Sequence, residues 1–184
     1  MRTGRGLCSV GAISLISCLL VPGALAFKIP THRVLNDRSA EVSIVGVRLT
    51  DELGLRGGLS EAIQGKRIQD WIRDGGAAED QYFGGETLGA VNRSKHHFHN
   101  PLLGWDVAGL DGRCVVPFRG QASVRWAQTT DQAAQAFESA TWADARRHFR
   151  DFLTLGSGSD RDEAGAKIFR VLGQQMHLIA DLTV

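Results

Sequence analysis

From Thr141 to the end of the chain, apolar residues return every three or four positions, and this helical period constrains the fold more than any other feature of the sequence. Thr141 followed by Asp144 is a capping box that opens a helix burying Trp142, Ala145, Phe149, Phe152 and Leu153 and stopping at Gly156. After a short linker at 156–159, a last helix runs from about Asp160 to the chain end, with Ile168, Val171, Leu172 and Ile179 at helical spacing. Upstream, Thr31 caps a helix through about Val45 that carries Val34, Leu35, Val42 and Ile44. Ser60 caps another, with Ile63, Ile68, Trp71 and Ile72 on one stripe and Gly75-Gly76 as its stop. A further helix spans about 123–138 around Trp126. With no strand alternation and no internal repeat, the pattern reads as an all-α fold.

Residues 75–125 interrupt this order. They hold Gly84-Gly85, Gly89, Asn100-Pro101, Gly104, Asp111-Gly112 and Pro117 without a helical period. A structureless stretch of this length is unusual in a compact domain, so it is either a functional loop or a place where periodicity fails to display the elements.

The first 26 residues read as an export signal, with Arg2 and Arg5 ahead of an apolar run from Leu7 to Leu25 and a small-x-small cleavage site at Ala24-Leu25-Ala26. Leu15-Ile16-Ser17-Cys18 resembles a lipobox, but the apolar Leu19-Leu20-Val21 behind it disfavours lipidation of Cys18. The domain expected is therefore residues 27–184, exported to the periplasm or beyond. The leader removes two of the 21 basic residues and none of the 20 acids, leaving 19 against 20 and a charge of −1. That balance argues against a broadly basic nucleic-acid binder. Cys8 and Cys18 leave with the leader, and Cys114 alone cannot close an internal disulfide, so a packed core, with or without metal, must hold the domain together.

Four groups of residues can carry chemistry. His177 and Asp181 stand four apart on the last helix, sharing one face at roughly 5–6 Å between Cβ atoms, which suits two ligands of one metal cluster or a hydrogen-bonded surface pair. His96-His97-Phe98-His99 places three imidazoles in a loop where they can converge on a cation, or forms an exposed loop with one buried imidazole. Glu79-Asp80 follow the Gly75-Gly76 stop, as ligands or as solvated loop acids, and His32 lies close to Phe27, the expected mature N-terminus.

In order, Phe27, Thr31-His32, Asp74-Gly75-Gly76-Ala77-Ala78-Glu79-Asp80, His97-Phe98-His99-Asn100-Pro101, Ser123-x-x-Trp126-Ala127, Trp142-x-x-Ala145-Arg146 and His177-Leu178-Ile179-Ala180-Asp181 form a pattern. It resembles the bacterial zinc-dependent phospholipase C family, related to the single-strand-specific zinc nucleases. The sharpest parts are G-G-x-x-E-D, H-F-x-N-P and H-x-x-x-D in that order, and the resemblance covers nearly all of 27–184.

The resemblance implies a helical fold holding three zinc ions. Asp80, His97, His177 and Asp181 fall where the family binds one zinc. His32, the amino and carbonyl groups of the N-terminal residue, here Phe27, and the second oxygen of Asp181 fall where it binds another. Beyond H-x-x-x-D the family continues with a proline and further His, His and Glu ligands, whereas this chain ends at Thr183-Val184. It therefore matches an N-terminal portion with ligands for two of the three ions. His96, His99 and His148 do not match ligand positions, and Trp71, Trp105, Trp126 and Trp142 read as core or wall aromatics.

The expected function is hydrolysis of phosphoric diesters by zinc-activated water, with Asp80 also orienting that water, a phospholipid as substrate and transient contact with a membrane surface. A single-strand nuclease is the nearest enzymatic rival, with nucleic acid as its substrate. A non-catalytic metal-binding remnant is the reading from another class.

Overall fold

A computed structural model of the chain describes residues 27–80, 93–112, 118–129, 141–156 and 158–182. The export signal expected at 1–26 lies outside the described residues. The described residues are mostly helical, with two short antiparallel ladders among them.

α1 (Ile29–Val42) opens with Pro30 in its first turn, where a fixed φ and a missing N–H cost nothing, so Thr31 lies inside the helix and Lys28 takes the N-cap position. The helix expected through Val45 ends earlier. Ser43 turns extended and its hydroxyl accepts from the Val45 amide at 3.2 Å, so a second helix, α2 (Val45–Asp51), begins there.

Ser60 also caps no helix. It ends a 3₁₀ turn (Gly58–Ser60), and the chain then forms a hairpin of β1 (Ala62–Ile63) and β2 (Lys66–Arg67), with Ala62 opposite Arg67 and Ile63 opposite Lys66. Its two-residue turn, Gln64-Gly65, has both φ positive, the geometry that matches strand twist.

α3 (Ile68–Glu79) then runs through Gly75 and Gly76 instead of stopping there. Packing overrides propensity at this point. A Cβ on Gly75 would sit 2.1 Å from the Arg170 carbonyl oxygen, and one on Gly173 would sit 2.0 Å from that of Ile72. These glycines let α3 and the last helix touch backbone to backbone.

The long connection contains β3 (Asp111–Gly112) paired with β4 (Phe118–Arg119), ladders too short to show alternation in sequence. α4 (Ser123–Trp126) is a single turn that ends at Ala127, so the helix expected over 123–138 stops early: the Ala127 carbonyl accepts from the Trp142 amide at 2.8 Å instead of continuing the helix, and residues 130–140 lie outside the described set. α5 (Trp142–Thr154) carries the expected capping box, Thr141 Oγ1 accepting from Asp144 N at 3.1 Å while Asp144 accepts from Thr141 N at 3.0 Å. α6 (Ser159–Asp181) is the longest described helix.

α6 lies between α3 and α5, with α1 packed on α3. Ile63, Ile68, Ile72, Phe152 and Phe169 form the core with Ala40 and Leu49. The α5 stripe is narrower than expected. Ala145 and Phe152 face α6, but Trp142, Phe149 and Leu153 are exposed, as is Ile179 on α6. Trp126 is wholly buried and Trp71 half-buried, whereas Trp105, expected as a core or wall aromatic, is exposed. Among the described residues no helix is long and apolar enough to cross a membrane.

Candidate metal centre

Three helices bring their ends together in one buried cluster. The first turn of α1 supplies His32, the C-terminal end of α3 supplies Glu79 and Asp80, and the last turn of α6 supplies His177 and Asp181. Two C-terminal ends converge there, each carrying roughly half a negative charge, against one N-terminal end of opposite sign, so the backbone dipoles favour a cation. His97 arrives from the segment after Ser94. That segment is held because the Leu110 amide donates to the Lys95 carbonyl and the Gln121 amide to His96 Nδ1, both at 2.8 Å.

Asp181 is the hub. Its Oδ1 lies 3.3 Å from His32 Nε2, and its Oδ2 lies 3.1 Å from His177 Nε2 and 3.2 Å from His97 Nδ1. Asp80 Oδ1 lies 3.6 Å from both His97 Nδ1 and His177 Nε2, and Oδ2 lies 3.8 Å from His32 Nε2. The His32 and His177 rings stack with centroids 3.6 Å apart, and His97 meets His177 edge-on with 3.2 Å between Nδ1 and Nε2. Two ligand triads result, His32–Asp80–His177 and His97–His177–Asp181. Phe27 is half-buried with its ring 6.0 Å from that of His32. Of the residues expected as ligands, His32, Asp80, His97, His177 and Asp181 thus converge, and Phe27 borders them through its ring.

His32, His97, His177 and Asp181 are sealed from solvent, while the Asp80 side chain keeps 18% of its surface exposed. Both nitrogens of His32 and both oxygens of Asp181 are buried without a hydrogen bond. Buried polar atoms left this way cost roughly 1–3 kcal/mol each, more for a charge, unless something binds them. A divalent cation held by imidazole nitrogens and carboxylate oxygens would satisfy them, so the residues present fit such a group.

His177 is already set for this. Its Nδ1 donates to the Gly76 carbonyl at 2.8 Å, leaving the Nε2 lone pair facing the cluster. Gly76 is in turn fixed by Asn36, whose amide donates to the Ile72 and Gly173 carbonyls at 3.0 Å each and fills the space that a Cβ on Gly76 would need. Burial opposes a charge on Asp181, but His177, His32 and His97 together hold its carboxyl well below the usual range. Burial likewise opposes charge on His97, yet the carboxylates of Asp181 and Glu79 outweigh it and push the ring up to about 9.

Glu79 is no solvated loop acid. It closes α3, is 2% exposed, and pairs with Arg93, while Trp126 Nε1 points to its Oε1 at 3.5 Å. Burial works against its charge, but Arg93 and His97 bring it down to about 2. Asn36, Gly76 and Arg93 escaped the spacing argument because none is a ligand type. The adjacency of Glu79 to Asp80 was the one available signal, since successive residues at a helix end point to different sides.

The remaining histidines lie apart from the two triads. His96 is buried and stacks on Trp126 with centroids 4.1 Å apart, His99 is half-buried beside Trp105, and His148 is half-buried on α5. No family model, curated protein or solved structure matches this chain.

Proposed function

We propose that this chain is an exported, zinc-dependent hydrolase of phosphoric diesters of the phospholipase C type, with the helical arrangement of that family. The observation that carries the reading is Asp181, whose two oxygens face different histidines, one toward His32 and the other toward His97 and His177. One carboxylate in that position can serve two cations. In this reading Asp80, His97, His177 and Asp181 hold one zinc, and His32, Asp181 and the backbone of Phe27 hold another.

Bound zinc would supply charge stabilisation at phosphorus and a coordinated water with its pKa lowered to roughly 7. The chain's own residues do the rest. Asp80 is the cluster member open to solvent, so it is the carboxylate able to accept a proton from, and orient, an incoming water. The sealed imidazoles hold their positions through the Gly76 carbonyl and ring stacking, which keeps the ligand geometry fixed during turnover.

The test is metal analysis of the exported chain together with turnover of phosphatidylcholine and of single-stranded DNA, each with and without chelator. Zinc-dependent release of a phosphorylated head group supports the reading. DNA turnover alone would move it to the nuclease, and metal binding without turnover of either would leave a metal-binding remnant. A chain that takes up no zinc would overturn it.

A further inference from the structure

We propose that Glu79 is a positioning residue for the metal centre, holding His97 by its outer nitrogen so that Nδ1 is the atom presented to the cation, with Arg93 locking the carboxylate in place. The inference rests on reading the cluster as a metal centre and concerns a residue that is not one of its ligands.

The two edges of the His97 ring face different partners. Nδ1 lies on the inside, 3.2 Å from Asp181 Oδ2 and 3.6 Å from Asp80 Oδ1, whereas Nε2, buried and without a hydrogen bond in this structure, faces outward to Glu79 Oε1 at 3.6 Å, a gap that must close by about 0.5 Å for the carboxylate to accept its proton. A neutral imidazole carries one proton, so an acceptor on the Nε2 side puts the N–H there and leaves the lone pair on Nδ1. Glu79 and Asp80 divide this work between adjacent positions at the end of α3, Asp80 reaching the inner nitrogen and Glu79 the outer one.

Glu79 is itself immobilised. Arg93 pairs with its Oε2 through Nη2, and Arg93 Nε points back to the Glu79 carbonyl at 3.4 Å. Arg93 is 7% exposed and Glu79 2%, so each charge is buried and depends on the other. The pair is electrically neutral as a unit. Glu79 can therefore hold His97 without adding a third negative charge beside Asp80 and Asp181, and its Oε2 is engaged where a ligand oxygen would need a free lone pair. His177 provides the contrast, because its outer nitrogen is held by a neutral carbonyl, that of Gly76. A carboxylate behind a histidine raises the ring's basicity more than a carbonyl does, and losing such a partner typically costs about 10–100-fold in metal affinity.

The experiment compares the full chain with Glu79→Gln and with Glu79→Gln/Arg93→Gln, the second sparing the protein an unpaired buried guanidinium. Zinc affinity is read by chelator competition, coordination by the visible spectrum of the cobalt(II)-loaded protein, and folding by circular dichroism in chelator. The expected result is about 10–100-fold weaker zinc binding and a changed cobalt spectrum in each folded variant. Imidazole ¹⁵N shifts of the zinc-loaded wild type should place the metal on Nδ1 of His97 and the proton on Nε2, a readout that stands even where both variants fail to fold. Wild-type affinity and an unchanged spectrum in a folded variant would overturn the role of Glu79 alone, as would metal on Nε2. A wild-type chain that binds neither ion overturns the metal-centre reading, and this inference with it.

Discussion

His32 Nε2 stands 3.3 Å from Asp181 Oδ1, with both side chains sealed from solvent and neither forming a hydrogen bond. One residue lies in the first turn of α1 and the other at the end of α6, so whatever satisfies this contact ties the two ends of the described chain together.

A cation bound there should stabilise the fold measurably. Binding to the native state alone adds about 2.7 kcal/mol when the free metal is 100 times its dissociation constant. Zinc added to the chelator-treated protein should raise the thermal midpoint by several degrees, as scanning calorimetry would register. An unchanged midpoint at saturating zinc would contradict the fit of the site.

Asp181→Asn should remove most of the bound metal and reduce any phosphodiester hydrolysis by at least about 100-fold, since one carboxylate serves both ligand groups. Atomic absorption after gel filtration gives the metal count. An Asn variant that retains the wild-type count would show that Asp181 is not shared.

Gly173→Ala should destabilise the protein by about 1–3 kcal/mol or more, because its new methyl would meet the Ile72 carbonyl oxygen at 2.0 Å, a backbone atom that cannot swing away. Gly156→Ala meets nothing within 4 Å and should change stability by less than about 1 kcal/mol. Urea midpoints in chelator distinguish the two. Because α6 carries His177, Gly173→Ala should also weaken zinc binding.

Stability of the metal-free protein should fall on both sides of about pH 6.5, through two adjacent histidines. Burial, then the charges of Lys95 and His97, pull His96 down to about 4. A folded pKa below the unfolded one gives stability that is present above about 6.5 and lost as pH falls toward 4, with Glu79 and Asp181 adding to the loss below about 4.5. His97 is shifted the other way, so its contribution is full below about 6.5 and lost as pH rises through about 9. Urea midpoints across pH 4–10 in chelator would trace this curve. Zinc should remove the alkaline decline, because metal needs the neutral ring and binds more tightly as His97 gives up its proton. A midpoint that stays flat from pH 6.5 to 9 in chelator would contradict the His97 shift.

The sequence by itself determined what depends on neighbours within a turn or two. The Thr141–Asp144 capping box and the shared face of His177 and Asp181 follow from helix geometry, and the mostly helical class follows from the apolar period. Local rules also misled where distant chain intervened. Gly75 and Gly76 read as a stop from propensity, yet Arg170 and Asn36 occupy the space their side chains would need, so the helix continues to deliver Glu79 and Asp80. Trp142, Phe149, Leu153 and Ile179 match the period but lie outside the narrow strip where α5 and α6 meet. Spacing alone could not join His32, Asp80, His97 and Asp181; the motif resemblance implied that they meet, and the tertiary structure supplied their distances and burial and showed Glu79 facing the outer nitrogen of His97. Helical spacing governs which residues of one helix lie side by side. Which helices touch, and at what distance, depends on close packing between segments far apart in the chain, here allowed by glycines whose missing side chains no periodicity records.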